Sequence, residues 1–499
     1  MRRMRLWLCL VPVVALLVGD LVRGDFEPPP PPDPQRRKGG ESLPPLPLPA
    51  TPLRRTEKKR PPAPPALIGK LQYGKPVWKT TEDGRRFSFL DWASDTTDAY
   101  YLVESANSKL GVKYRHIELP LKDFSFSPEE IPILYITGHE DFKFTDEEVQ
   151  KMRWYLRDGG MLIGDACCGA ANLSLAFKRE VGRVFPDRPL KRLAMDHPLF
   201  HSFYDITEVT YLRQGAGQVR KEPDIFGIEL GCRLAVVLFP DDVSCGWARH
   251  THPQGSRIAI DDANQLGLNL MAYALSSYQY GRLWGTQKVY YEQGEKTREE
   301  FVVGQVVHGG DWDPAPSAIM NLLKYLGQNS TVDVQFKRAD IDLRKLDVFK
   351  YPIIFMTGHD DFELLEPEVA ALRSYLRNGG VLFADACCGR EAFDKAFRRE
   401  LKKVFPDKEL QKLPLEHPIY SAAAKITTVE YTDILKQHRP DFNQPCLEAI
   451  SIGGVACVIY SKYALASGWQ GFSSPFSKGY SQADALRIGL NVVIYSMTH

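Results

Sequence analysis

The sequence predicts an α/β protein: two tandem doubly wound, flavodoxin-like parallel-sheet domains behind a leader and a proline-rich linker. Three observations carry this. A block at 133–169, containing His139 and ending Asp165-Ala-Cys-Cys-Gly169, returns at 353–389 with His359 and Asp385-Ala-Cys-Cys-Gly389, at a constant offset of 220. Each copy alternates apolar runs of strand length with helix-period segments, the pattern of β-α-β units whose strands are buried on both faces. The offset persists to Glu416-His417-Pro418, which answers Asp196-His197-Pro198, and shifts to 222 where Gly468-Trp469 answers Gly246-Trp247. A repeat this long is a duplicated domain, not a solenoid unit.

Residues 1–25 read as a signal peptide or short anchor. Arg2, Arg3 and Arg5 precede the apolar run 6–18, shorter than the roughly 20 residues of a spanning helix. Residues 26–66 hold 15 prolines and a basic set from Arg36 to Arg60. Such a composition cannot bury a core, so this linker is expected to be disordered, as a spacer or as a basic tether to an anionic surface. Domain 1 is assigned to 67–285 and domain 2 to 286–499. In domain 1 the expected order is an opening strand at 87–90, helix 97–110, strand 113–119, strand 133–137, helix 144–157 with Thr145 near its N-cap, strand 161–164, helix 172–182, strand 234–239 and helix 262–278. Domain 2 repeats it, with strand 301–307, helix 315–327, strand 332–336 and helix 366–377.

The net charge of +1, with 44% hydrophobic and 25% charged residues, describes an ordinary globular chain and gives no whole-chain field for nucleic acid. Ligands of such sheets bind beyond the carboxyl ends of the strands. In domain 2 those ends carry His308, Asp311, Trp312 and Asp313, then His359 and Asp360, then Asp385 with Cys387 and Cys388. In domain 1 they carry His139, then Asp165 with Cys167 and Cys168. The expected ligand-binding set is therefore His308, Asp311, Trp312, Asp313, His359, Asp360, Asp385, His139 and Asp165. An indole beside carboxylates also suits a sugar ring.

Cys167 and Cys387 each end a strand and precede a glycine and a helix, as an activated thiol would. His197 and His417, 30 residues on, are the paired candidate bases. Small buried cysteines beneath a helix are the competing reading. No C-x-x-C or His/Cys zinc spacing occurs, so no cofactor and no metal ligand set is expected. Hard-cation binding by the aspartates stays an alternative.

The loop His308-Gly-Gly-Asp-Trp-Asp-Pro314, the strand end Thr357-Gly-His-Asp-Asp-Phe362, the Gly379–Gly389 block and the Phe397-Arg-Arg-Glu400 helix come in one order. In these the chain resembles a bacterial family called domain of unknown function 4159. The resemblance implies a fold similar to class I glutamine amidotransferases, with Cys167 and Cys387 at the nucleophile position. Asp165 and Asp385 replace the first glycine of that superfamily's G-x-C-x-G elbow, and no later histidine begins an H-x-E. Classical glutaminase activity is therefore not expected. At offset 220, Ser88 stands where domain 2 has His308, which makes the first opening loop look degenerate. The expected function is an exported, envelope-associated, non-catalytic ligand-binding or assembly module in the periplasm or cell envelope. An envelope polymer or protein complex is the expected partner, with membrane contact at most through the N-terminus. A cysteine-dependent amide or glycan hydrolase is the alternative, and a metal-dependent hydrolase a further one.

Overall fold

The computed structural model describes residues 63–250, 255–286, 300–330 and 335–499. The leader and most of the proline-rich linker lie outside the described residues. Each repeat is a seven-stranded sheet flanked by helices. In the first, β1 (Ala66–Gln72), β2 (Arg115–Pro120), β3 (Ile133–Gly138) and β4 (Met161–Ala166) alternate with α1 (Asp98–Leu110) and α2 (Asp146–Arg157). After α3 (Ala171–Val184) come β5 (Lys191–Arg192), β6 (Phe226–Glu229), β7 (Leu234–Phe239), α4 (Ser244–Trp247) and α5 (Ile260–Thr286). The sheet order is β2-β1-β3-β4-β7-β6-β5. Its five parallel strands run in the flavodoxin-type order, with the switch point between β1 and β3.

The second repeat has the same plan. It contains β8 (Glu300–Val306), α6 (Ala318–Asn329), β9 (Gln335–Ile341), β10 (Ile353–Gly358), α7 (Glu366–Arg377), β11 (Val381–Ala386) and α8 (Glu391–Val404). Then follow β12 (Gln411–Lys412), α9 (Asp433–His438), β13 (Glu448–Ile452), β14 (Val455–Ser461), α10 (Ala466–Trp469) and α11 (Gln482–Thr498). The order β9-β8-β10-β11-β14-β13-β12 matches the first sheet strand for strand. The central strands are apolar on both faces because helices cover both, and each sheet has a core cluster on either side. Among the described residues no helix is long and apolar enough to cross a membrane.

Local rules place most elements. Thr145 caps α2 in a capping box, accepting from the Glu148 N–H while Glu148 accepts from the Thr145 N–H. Trp247 and Trp469 lie buried beneath α5 and α11, each donating its indole N–H to a helix carbonyl, Ala263 or Ala485, at 2.8 Å. The glycine pairs 159–160 and 379–380 end α2 and α7. Gly159 and Gly379 take positive φ (113° and 92°), which glycine adopts without a Cβ penalty. A Cβ on Gly160 or Gly380 would drive into the ring of Tyr155 or Tyr375. Gly380→Ala is expected to cost about 1–3 kcal/mol of overpacking. Urea unfolding measures it, and an unchanged midpoint would refute this packing argument.

The opening strand corrects the sequence reading. The central strand is β1 at Ala66–Gln72, not 87–90. Arg86–Phe89 instead pairs with Val77–Thr80 in an exposed two-stranded hairpin. Ala66-Leu-Ile-Gly-Lys-Leu-Gln72 has the buried run that a central position needs, whereas 86–89 exposes its residues. Aligned by strand pairing, Lys70 beside Tyr135 answers Gln305 beside Phe355, an offset of 235. At that offset Tyr73 answers His308. Both satisfy the same carbonyl: Tyr73 donates to Thr137 O at 2.9 Å, and His308 Nε2 lies 2.9 Å from Thr357 O. The first loop is thus expanded by a hairpin rather than degenerate, and Asp91 returns to offset 220 from Asp311.

Candidate metal centre

The site grows from the ends of three adjacent parallel strands beside the switch point. After β11 the chain turns through Cys387-Cys388-Gly389, and Cys388 takes the left-handed conformation (φ 54°); Cys168 does the same in the first repeat (φ 57°). A non-glycine residue there carries about 1 kcal/mol or more of backbone strain, which persists only where the surroundings hold it. In a continuing strand successive side chains would diverge. The kink instead brings neighbouring thiols together, with Cys167 Sγ and Cys168 Sγ 3.8 Å apart.

In the second repeat Cys387 and Cys388 meet His359, from the end of β10, and Cys232, from the β6–β7 turn of the first repeat. One donor atom from each lies within 4.8 Å of all the others, and all four residues are buried. Cys232 Sγ and Cys387 Sγ are 3.6 Å apart. A disulfide would put them at about 2.0 Å. Two thiolates on a tetrahedral zinc, each about 2.3 Å from it, lie about 3.8 Å apart. The His359 Nδ1 is 2.9 Å from Asp311 Oδ2. Its Nε2 is buried without a hydrogen-bond partner, and the ring lies against Cys232. A carboxylate fixing one imidazole nitrogen while the other is left for a cation is the usual outer shell of a histidine ligand.

Charge around the cluster is arranged across the two repeats. Glu229 of β6 lies 3.2 Å from Arg390, 3.3 Å from His197 Nε2 and 3.7 Å from His359 Nδ1. Burial opposes its charge, but Arg390, His359 and His197 outweigh that and hold its carboxyl well below the usual range. Buried Arg390 also faces Asp196, whose carboxylate accepts the Glu391 and Ala392 N–H groups and so caps α8 from the other repeat. Burial likewise opposes ionisation of Cys388, yet contacts with Cys232, Cys387 and Ser477 bring its thiol down to about 5. Burial and the neighbouring thiols push Cys387 up.

The other sequence-predicted residues divide. Asp311, Trp312, Asp313, Asp360 and His308 border one cleft of about 500 Å³ between the repeats, opposite Arg188 and Lys191. There Arg188 pairs with Asp311 and Lys191 with Asp360, both at 3.1 Å, while Asp313 pairs with Arg338 at 3.0 Å. Trp312 lies under the Arg338 guanidinium. His308 packs on Phe362 and Phe393, and burial lowers it to about 4. Asp385 accepts the Leu465 and Ala466 N–H groups and so starts α10; Asp165 accepts from Val243 N–H and the Thr137 hydroxyl. These two carboxyls serve local backbone, and burial raises them to about 6 and about 8.

The structure does not bring the proposed cysteine–histidine pairs together. His417 Nδ1 accepts from Ile419 N–H and its ring packs on Tyr495, whereas Cys387 faces Cys232 and Cys388. His197 caps its own turn through Leu199 N–H and turns Nε2 to Glu229, while the neighbours of Cys167 are Cys168 and Cys245. The absence of local zinc spacing therefore misses this donor set, because its residues come from three separate segments of two repeats. Cys232, Glu229 and Arg390 have no matching residue in the other repeat, so the repeat pattern does not mark them. Cys232 has no counterpart in the second repeat, where position 454 is glycine, a feature it shares with Cys245, Cys446 and Cys457, so it does not mark the site.

The family model Domain of unknown function (DUF4159) matches residues 86–275 and 302–497. The chain belongs to the DUF4159 family. The second match spans nearly all of the second sheet, and the first begins after β1 (Ala66–Gln72), so each match falls within one repeat. No curated protein matches. A solved structure named as a phosphosugar isomerase from Silicibacter pomeroyi DSS-3 is 10% identical and covers 64% of this chain and 75% of its own. With a TM-score of 0.16 it carries no argument. These comparisons support the DUF4159 family and not the amidotransferase-like fold that the resemblance implies.

Proposed function

We propose that this chain is a non-catalytic binding and assembly module whose two DUF4159 repeats are clamped by a zinc-class cation at Cys232, His359, Cys387 and Cys388. The observation that carries it is the orphaned, buried Nε2 of His359, set among three thiols with Asp311 fixing the opposite nitrogen. Four protein donors fill a tetrahedral shell and leave no position for substrate, which is the structural rather than the catalytic arrangement. Three thiolates and a neutral imidazole would give a zinc site one net negative charge, and Arg390 is the adjacent cation. The leader-like residues 1–25 and the linker 26–66 support export, with the clamped body acting at the cell envelope on a polymer or protein complex.

The test is metal analysis of the full chain purified without chelator, followed by cobalt substitution. The clamp predicts bound zinc, a thiolate-to-cobalt absorption band, and loss of one equivalent in Cys232→Ser. A chain that takes up neither ion would refute it. Fractionation of cells tests the location separately, and retention in the cytosol would refute export.

One observation favours the hydrolase reading. Cys388, not Cys387, borders a cleft of about 1030 Å³, and its thiol is the one brought down to about 5. If that reading holds, Cys388 alkylates rapidly near pH 6 in the chain as purified. Under the clamp, bound metal blocks that alkylation until a chelator is added.

A further inference from the structure

We propose that the first repeat carries a second thiophilic-cation site, made by Cys167, Cys168 and Cys245 with the Asp242 carboxylate and beside the His139 imidazole, which exchanges its ion with solvent while the clamp retains its own. The proposal rests on the metal reading above and extends it to residues the clamp does not use. The sulfurs of Cys167, Cys168 and Cys245 and one oxygen of Asp242 lie within 4.8 Å of one another. The Cys167–Cys168 separation of 3.8 Å is again the tetrahedral edge.

A histidine stands beside these sulfurs, with a carboxylate on its Nδ1 as in the clamp. His139 Nδ1 lies 3.3 Å from Asp91 Oδ1 and 3.2 Å from the Ser94 hydroxyl, and the ring also contacts Cys168. Asp91 further accepts the backbone N–H groups of His139 and Glu140 at 2.8 and 2.9 Å. Asp91 and His139 answer Asp311 and His359 at the repeat offset, so the carboxylate–imidazole pair occurs in both repeats. Asp242 places one oxygen among the sulfurs and holds the backbone that carries them. Its Oδ2 accepts from Cys168 N–H, and its Oδ1 from Cys245 N–H and the Ser244 hydroxyl.

The source of the third thiol separates this site from ordinary core packing. In the first repeat it is Cys245, on α4. At that position, offset 222, the second repeat has Ser467, whose hydroxyl pairs with Ser477. The second repeat's third thiol is Cys232, from its neighbour, and that position in the second repeat is Gly454. Packing alone would be met by any small residue at either place, as serine and glycine show. What the two repeats share is the count of three sulfurs beside one histidine, reached by different routes.

The sites differ in access. The His139 side chain is 30% exposed and Cys168 half-buried, whereas the His359 side chain is 0% exposed and Cys388 buried. Exchange of a bound ion needs an incoming ligand to reach it, so the first site releases faster.

The test is zinc release from the loaded full chain to a chromogenic chelator. Two equivalents are expected, in phases separated by about tenfold or more in rate. Cys245→Ser removes the fast phase and Cys232→Ser the slow one. Cobalt loading of the unmutated chain reads the same stoichiometry without relying on a variant's folding, and two thiolate-bound equivalents are expected. A single slow equivalent, or a fast phase that survives Cys245→Ser with Cys232→Ser still removing the slow one, overturns this site and leaves the clamp standing. A single fast equivalent lost in Cys245→Ser supports this site and refutes the clamp. Two equivalents released together overturn the exchange claim.

Discussion

Stripping the metal-loaded chain with a chelator is expected to cost about 4 kcal/mol of stability at a free zinc concentration roughly a thousandfold above the dissociation constant. The loss comes from a ligand that binds only the docked arrangement, since Cys232 reaches the cluster from the first repeat and the other donors from the second. The urea midpoint with and without chelator measures it, and coincident midpoints would refute the clamp. Cys232→Ser should reproduce the clamp's share of the loss even without chelator. Adding Ser467→Cys to that variant supplies a third thiol from within the second repeat. It is expected to restore metal binding but not the stabilisation between repeats, because nothing from the first repeat is then held.

Asp98→Ala is expected to destabilise the first repeat by about 3–5 kcal/mol. Lys70 Nζ lies 2.7 and 2.9 Å from the two Asp98 oxygens, both residues are buried, and Tyr135 donates to Asp98 at 2.9 Å. Lys70 also donates to the Asp95 carbonyl. Burial raises Asp98 above the usual carboxylate range, and the Lys70 charge and hydrogen bond limit that rise. Removing the carboxylate leaves an ammonium buried without a counter-charge. The second repeat shows the alternative solution: Gln305 replaces Lys70 and donates to Trp312 O at 2.7 Å, and Phe355 replaces Tyr135. The triple change Lys70→Gln/Asp98→Ala/Tyr135→Phe is therefore expected to recover a large part of the loss. Urea unfolding reads both, and a single Asp98→Ala variant as stable as the unmutated chain would refute the argument.

The sequence alone determined the duplicated α/β plan. A run such as Ile353-Ile-Phe-Met-Thr is apolar at every position, so it must be a strand covered on both faces, and the helix-period segments between the runs supply the cover. It also determined that polar residues collect at strand ends, because the buried runs stop there. The sequence places the opening strand at 87–90 because Phe87-Ser-Phe alternates like a strand, whereas the central strand at Ala66–Gln72 follows directly on the prolines. Only burial across the sheet distinguishes the two, and burial is a property of the assembled layers.

The candidate centre was half legible. His359, Cys387, Cys167 and His139 stood out because the repeat doubled them. Cys232 and Cys245 did not, because each has lost its counterpart, and a donor set drawn from three segments has no local spacing to detect. The tertiary structure alone decided that Glu229 and Cys232 of one repeat face His359 and Arg390 of the other. That docking brings opposite charges of two folded surfaces together, which no periodicity within either repeat encodes.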